Sequence, residues 1–206
     1  MSGAIEVKPK TASVPSQSAV DREARKEIDK LAKLLLAAFK DAKAGKVIVD
    51  GKPFKGNIAG YGSPENEELE AFISEFIPNP IKAKVGEKVT WRINGHTVSF
   101  DVPRYFPIAT VAKNGRVTFN PRAVKPQNSP VAKFPEGGGG PDEGGGPGGP
   151  PSPPVEVDAG KWDGSGFISS GVPEDTINWS LTFTKAGTYK YACLIHPRMV
   201  GEVAVS

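Results

Sequence analysis

The spacing of apolar and polar positions along this chain changes once, near Gly45. From Ser18 to Ala44, the residues Ala24, Ile28, Leu31, Leu35, Ala38 and Ala42 recur at three- and four-residue intervals, the spacing of one helix face. Ser18 and Asp21 fit a capping box in its carboxylate form, and Gly45 is placed to end the helix, which occupies residues 18–45 with its stop. On the opposite face Asp29 and Lys33 lie one turn apart and can pair. Such a helix has one apolar face to bury, either on the domain that follows or on a partner.

Past Gly45 the period falls to two. Val89, Trp91 and Ile93, and later Ile177, Trp179, Leu181 and Phe183, alternate with mostly polar neighbours, as on half-buried strands. Strands are predicted over Leu69 to Ile77, Lys84 to Ile93, Thr97 to Val102, Phe106 to Lys113, Arg116 to Asn120, Thr176 to Phe183, Thr188 to Cys193 and Val200 to Val205. Asn114-Gly115 between two such runs reads as a tight hairpin turn. Pro78, Pro80, Pro103 and Pro107 cut the runs short, which favours a sandwich or barrel over a helix-covered parallel sheet. The fold class read from this pattern is mainly β.

Residues 1–17 mix Lys, Pro, Ser and Gln without periodicity and read as a flexible leader or tether. From Gly137 to Pro154 there are 9 Gly, 6 Pro and 3 other residues, a composition that cannot bury apolar surface. Neither the strands before it nor those after it make a complete sandwich. The segment is therefore read as a disordered loop insertion, about 125–154, within one domain covering 46–206. No Gly-Lys-Ser/Thr follows these glycines and no strand and helix flank them, so they are not a phosphate loop.

Composition narrows the function classes. The chain has 206 residues, 38% hydrophobic and 24% charged, which describes a soluble globular protein and excludes collagen, coiled coil and full disorder. A net charge of +3 and a pI near 8.9, with no dense Lys/Arg block and interleaved aromatics, are too mild for a nucleic-acid partner. The most apolar stretch, Leu31 to Phe39, is interrupted by Lys33 and falls short of the roughly 18 apolar residues a membrane span needs. Met1 to Lys10 lacks the apolar run of a secretory signal. One Cys excludes an internal disulfide, and two His leave little room for a multi-histidine cluster.

Those scarce residues converge in sequence. Cys193, His196 and Met199 stand at C-x2-H-x2-M spacing in a loop between two strand patterns, and the second histidine, His96, begins another strand. Two imidazoles, a thiolate and a thioether match a trigonal His2Cys copper site with a long axial Met. Thiolate and thioether favour Cu(I) while imidazole suits both oxidation states, so such a set accommodates a one-electron change. Each residue alone also has an ordinary packing role: a buried small thiol, a satisfied core histidine, a gap-filling Met. Thiolate and imidazole also bind zinc, whereas an axial Met argues for copper.

From Leu69 to Ser206 the chain resembles the cupredoxins, the blue copper proteins, and within them the plastocyanin-like group. The marks are Val85-Gly86-Glu87-Lys88-Val89-Thr90-Trp91 before the first ligand, His96-Thr97-Val98, the Thr184-Lys185-Ala186-Gly187-Thr188-Tyr189 entry to the loop, and the Cys-His-Met loop with Gly201. The two-residue gaps are similar to those of amicyanin. The resemblance implies a Greek-key β-sandwich of about eight strands, carrying one mononuclear type 1 copper ion. His96, Cys193 and His196 would be its strong ligands and Met199 its weak axial one. Gly95 before His96 resembles the azurin arrangement and implies a weak fifth contact from its carbonyl. Plastocyanins place Asn after the first ligand and a hydroxyl residue after the Cys. Here Thr97 and Leu194 stand there, so any supporting bond between them must use backbone.

The resemblance also implies single-electron transfer, Cu(II)/Cu(I), between larger redox proteins acting as donor and acceptor, with electrons passing through the His196 edge. Pro197, Ile195 and Val200 would form a docking patch there, and Arg198, with Arg104, would favour an acidic partner surface. No enzymatic activity is expected, because multicopper oxidases and copper nitrite reductases need further His ligands and binuclear copper needs two Cys. The alternative is a copper storage or delivery protein using the same ligands. A purely structural or adhesion sandwich is the fallback. The family works outside the cytoplasm, so the expected location is extracytoplasmic, periplasmic or cell-surface and secreted. The export signal or membrane tether would then lie outside these 206 residues.

Overall fold

A computed structural model describes residues 7–49, 51–62, 72–104, 106–124, 153–173 and 176–206. The first part of the chain runs α1 (Gln17–Lys43), β1 (Val47–Val49), β2 (Lys52–Phe54), β3 (Asn57–Gly62), β4 (Phe72–Ile77), β5 (Ile81–Ala83) and β6 (Lys88–Ile93). Then come β7 (Ser99–Phe100), β8 (Ala109–Val111), β9 (Val117–Phe119) and α2 (Pro121–Val124). β10 (Val155–Trp162), β11 (Ile168–Ser169), β12 (Ile177–Phe183), β13 (Gly187–Ala192) and β14 (Val200–Val205) complete it.

The protein is mainly β with an N-terminal helix, as the change of period predicts. Two five-stranded sheets, ordered β10-β12-β6-β3-β4 and β11-β7-β13-β14-β5, share one core and make a β-sandwich. The sheets thus hold ten strands where about eight were expected. Each sheet contains strands from both sides of the Gly/Pro-rich segment, and the segment itself lies almost wholly outside the described residues. Val89, Trp91 and Ile93 of β6 and Ile177, Trp179, Leu181 and Phe183 of β12 all point into the core. β6 and β12 are antiparallel neighbours with Trp91 opposite Trp179. Trp91, Phe100 and Tyr191 meet at ring-centroid distances of 5.0 to 5.9 Å and join the two sheets.

Several boundaries differ from the sequence reading for local reasons. The run from Lys84 is cut by a turn in which Glu87 N–H donates to Lys84 O and Gly86 takes φ +82°, so β6 starts only at Lys88. The Asn114-Gly115 hairpin exists, but β8 and β9 pair only with each other, and Val111, Val117 and Phe119 are exposed. Alternation there marks a solvated ribbon rather than a core strand. The sequence pattern predicts no strand at β1, β2, β3, β5, β10 or β11; in β10 Val155, Val157 and Ala159 alternate, but Asp158 and Gly160 mask the run as a turn. The helix is capped by Ser16, not Ser18, with Ser16 Oγ accepting from Ala19 N–H at 3.3 Å, because Ser16 is the residue held extended.

Only the C-terminal part of α1 is covered. Ala38 and Ala42 pack with Val47, Ile58, Tyr61 and Ile77 in a second, smaller core behind β3 and β4, while Ile28 is 60% exposed. Among the described residues no helix is long and apolar enough to cross a membrane.

Replacing Trp91, which has no exposed surface, by Ala is expected to cost about 3–5 kcal/mol and lower the urea midpoint accordingly. Val111→Ala on the exposed ribbon should stay within about 0.5 kcal/mol of the parent in the same titration.

Candidate metal centre

Strand register delivers the thiol to the first histidine. β13 runs antiparallel to β7 with Tyr191 opposite Phe100 and Ala192 opposite Ser99. Continuing that pairing past the end of β13 brings Cys193 and Leu194 alongside Val98 and Thr97. Leu194 N–H donates to Thr97 Oγ1 at 2.8 Å, and Thr97 N–H donates to Cys193 Sγ at 3.4 Å. The following loop folds back on itself. Cys193 N–H donates to Met199 O at 3.0 Å and Met199 N–H to His196 O at 3.3 Å, with Arg198 at φ +70° making the reversal.

Both imidazoles present the same nitrogen to sulfur. His196 Nδ1 lies 3.5 Å and His96 Nδ1 3.9 Å from Cys193 Sγ. One ligand atom from each of His96, Cys193 and His196 lies within 4.8 Å of the others, a group able to hold a metal ion. The imidazole rings are 4.5 Å apart by centroid. His96 is 4% and Cys193 7% exposed, while His196 is partly exposed.

Burial sets the protonation of the donors. Desolvation first, and then the neighbouring His196, push the His96 pKa down to about 4 from an ordinary 6.5. Desolvation lowers His196 as well. Both rings are therefore neutral at pH 7, the form in which imidazole binds a metal.

A chain of buried hydroxyls supports this arrangement. Ser99 Oγ donates to Thr97 Oγ1 at 3.2 Å, Ser99 and Ser169 share a bond of 2.8 Å, and Gly171 N–H donates to Ser169 Oγ at 3.1 Å. The link between Thr97 and Leu194 does use backbone on the Leu194 side, while Thr97 contributes its hydroxyl.

The other residues singled out in the sequence fall close by along the chain. Met199 is 1% exposed at the loop's end. Gly95 turns the chain into His96 at φ +64°. Pro197, Arg198, Ile195, Val200 and Arg104 are exposed.

Two residues with no signal in the sequence also reach the histidines. Phe72, 52% exposed, sets its ring edge-on to His96 and His196 at 5.6 and 5.8 Å. It reads as one more apolar strand position. Gly60 lies against the His96 ring, a contact across 36 positions that no local pattern announces. Both line, with the two histidines, a cleft of about 600 Å³ that also includes Tyr61, Asn94 and Thr176.

The metal-free protein should lose stability as pH falls. Between 6.5 and about 4 the unfolded chain binds a proton at His96 that the folded chain refuses. Stability is thus full above pH 6.5 and falls by about 3 kcal/mol by pH 4. Urea titrations at stepped pH read this slope, and His96→Gln should flatten it. Thr97→Val, which strips Leu194 N–H of its acceptor, should cost about 1–3 kcal/mol at pH 7. No protein-family model matches the chain and no curated protein is significantly similar to it, which leaves the His96, Cys193 and His196 group as the guide to its function.

Proposed function

We propose that this protein is a type 1 (blue) copper protein that carries single electrons between larger redox partners, with the cupredoxins as the family it resembles. The observation that carries the reading is the approach of two buried or part-buried Nδ1 atoms to one buried Cys Sγ. One thiolate and two imidazoles suit copper in both oxidation states, and Met199, buried on the same loop, would add a thioether donor. Gly95 O is the candidate for a weak fifth contact.

What the chain's own residues contribute is a prearranged donor set. Neutral imidazoles need lose no proton on binding, and the Thr97 N–H offsets negative charge on sulfur. Bound copper would supply the Cu(II)/Cu(I) couple. A short loop closed by backbone hydrogen bonds resists rearrangement when charge changes by one.

Electrons would enter and leave at His196, the more exposed ring. Around it the surface offers exposed Ile195, Pro197 and Val200, and Phe72 edge-on to the ring itself. Arg198 beside them favours an acidic partner face, acting mainly on encounter rate. A transient carrier of this kind would work outside the cytoplasm, with no catalytic reaction of its own.

Cu(II) added to purified metal-free protein should give an intense thiolate charge-transfer band in the visible and narrow copper hyperfine splitting in the paramagnetic resonance spectrum. Both should vanish in Cys193→Ser. Colourless protein with ordinary tetragonal copper, or none bound, would overturn the reading. Rapid electron self-exchange with retained metal separates a carrier of electrons from one that hands Cu(I) to an acceptor.

A further inference from the structure

Gly60 sits on β3, outside the part of the chain that resembles a copper protein, at an irregularity in the pairing with β4. Ala59 is opposite Phe76 and Tyr61 opposite Ile73, with the register shifting between them at Gly60. Between these pairs β3 has the single residue Gly60 and β4 has two, Ser74 and Glu75, so the regular alternation of faces breaks there. Ile58 and Tyr61 therefore both face the small core under α1, while Ala59 faces the sandwich core. Tyr61 Oη also accepts from Ile48 N–H at 3.2 Å, tying the bulge to β1. Gly60 is thus held between two neighbours that are buried on opposite sides.

The His96 ring lies directly against it. A Cβ built on Gly60 would stand 2.0 Å from His96 Nε2, 2.5 Å from Cδ2 and 3.0 Å from Cε1. Those atoms belong to a rigid ring, so no flexible tip can swing aside. Gly60 also takes φ +79°, where a side chain is strained even in open space. On its far side the ring meets the His196 ring at 4.5 Å and has its Nδ1 3.9 Å from sulfur.

We infer that Gly60 is a positioning residue: its bare backbone is the stop against which the Nε2 edge of His96 rests, and this stop fixes the direction in which Nδ1 faces Cys193. A methyl group there would have to rotate the imidazole or push β3 away, and β3 is anchored on both faces. The ring gives way first, and the His96 donor leaves its place beside sulfur. The inference deepens the copper reading, and its metal-binding test rests on that reading, whereas its structural test does not.

Gly160 is the matched control. It has φ +80° and a Cβ there would meet nothing within 4 Å, so Gly160→Ala carries the backbone strain of Gly60→Ala without the collision. In metal-free protein, nuclear Overhauser contacts from the His96 ring protons to Gly60 Hα report the stop directly. Gly60→Ala should shift the His96 ring resonances while Gly160→Ala leaves them in place. With Cu(II), Gly60→Ala should weaken binding about 10- to 100-fold and alter the visible band, and Gly160→Ala should do neither.

A double-variant cycle covers the case in which Gly60→Ala fails to fold. In a His96→Ala background the collision is gone, so Gly60→Ala should cost only what Gly160→Ala costs, and the double variant should fold. Unchanged His96 resonances and metal binding in Gly60→Ala would overturn the inference. So would a double variant that is unfolded while His96→Ala alone folds. If the parent protein takes up no copper, the copper reading fails, and the ring contacts and the cycle still decide whether Gly60 positions His96.

Discussion

The packing of Tyr191 against Phe100 and Trp91 is the interaction on which the candidate centre depends. Tyr191 precedes Cys193 by two residues, Phe100 follows His96 by four, and Trp91 precedes it by five. Their rings meet in the interior, where Trp91 Nε1–H donates to Tyr191 Oη at 3.3 Å. Each aromatic contact of this kind adds about 0.5–1.5 kcal/mol beyond simple burial. A slip of one residue between β7 and β13 would turn Tyr191 out of the core and carry Cys193 away from Thr97. The core that stabilises the sandwich therefore also sets the distance between sulfur and the first imidazole.

His96 is held from a different direction. β6 ends at Ile93, Gly95 reverses the chain, and the ring is then enclosed by His196, Phe72 and the backbone of β3. Burial costs the charged form of the ring and leaves it neutral. The same enclosure keeps water from the Cys193 thiol, and the hydroxyl chain of Thr97, Ser99 and Ser169 meets the polar needs of backbone that water would otherwise satisfy. For the proposed electron carrier, this stiffness is the useful property, since donors held by the surrounding fold move little when one electron is added.

The N-terminal part of the chain is joined to the centre through β3. Its small core with α1 and the β1–β2 ribbon holds one side of the strand, and the sandwich core holds the other. The bulge between them projects Gly60 toward His96. A helix and ribbon that seem peripheral along the sequence are thus mechanically linked to a candidate ligand. The exposed first half of α1 takes no part in that link.

Period and inventory were enough, by themselves, to read a helix followed by strands, the hairpin at Asn114-Gly115, and His96, Cys193 and His196 as residues able to hold a metal ion. Local alternation reports which residues face one side, and rare residue types at short spacing within one loop are visible without any fold. What alternation cannot report is which strands become neighbours. It therefore took β8 and β9 for sandwich strands although both faces are wet, and passed over β10, whose Asp158 and Gly160 read as a turn. The meeting of His96 with Cys193 across 97 positions, the Thr97 hydroxyl under Leu194, Phe72 on both rings and Gly60 against Nε2 were decided only by tertiary structure. Each is a contact between segments distant in sequence, created by strand order and register, and no window of the chain contains both partners.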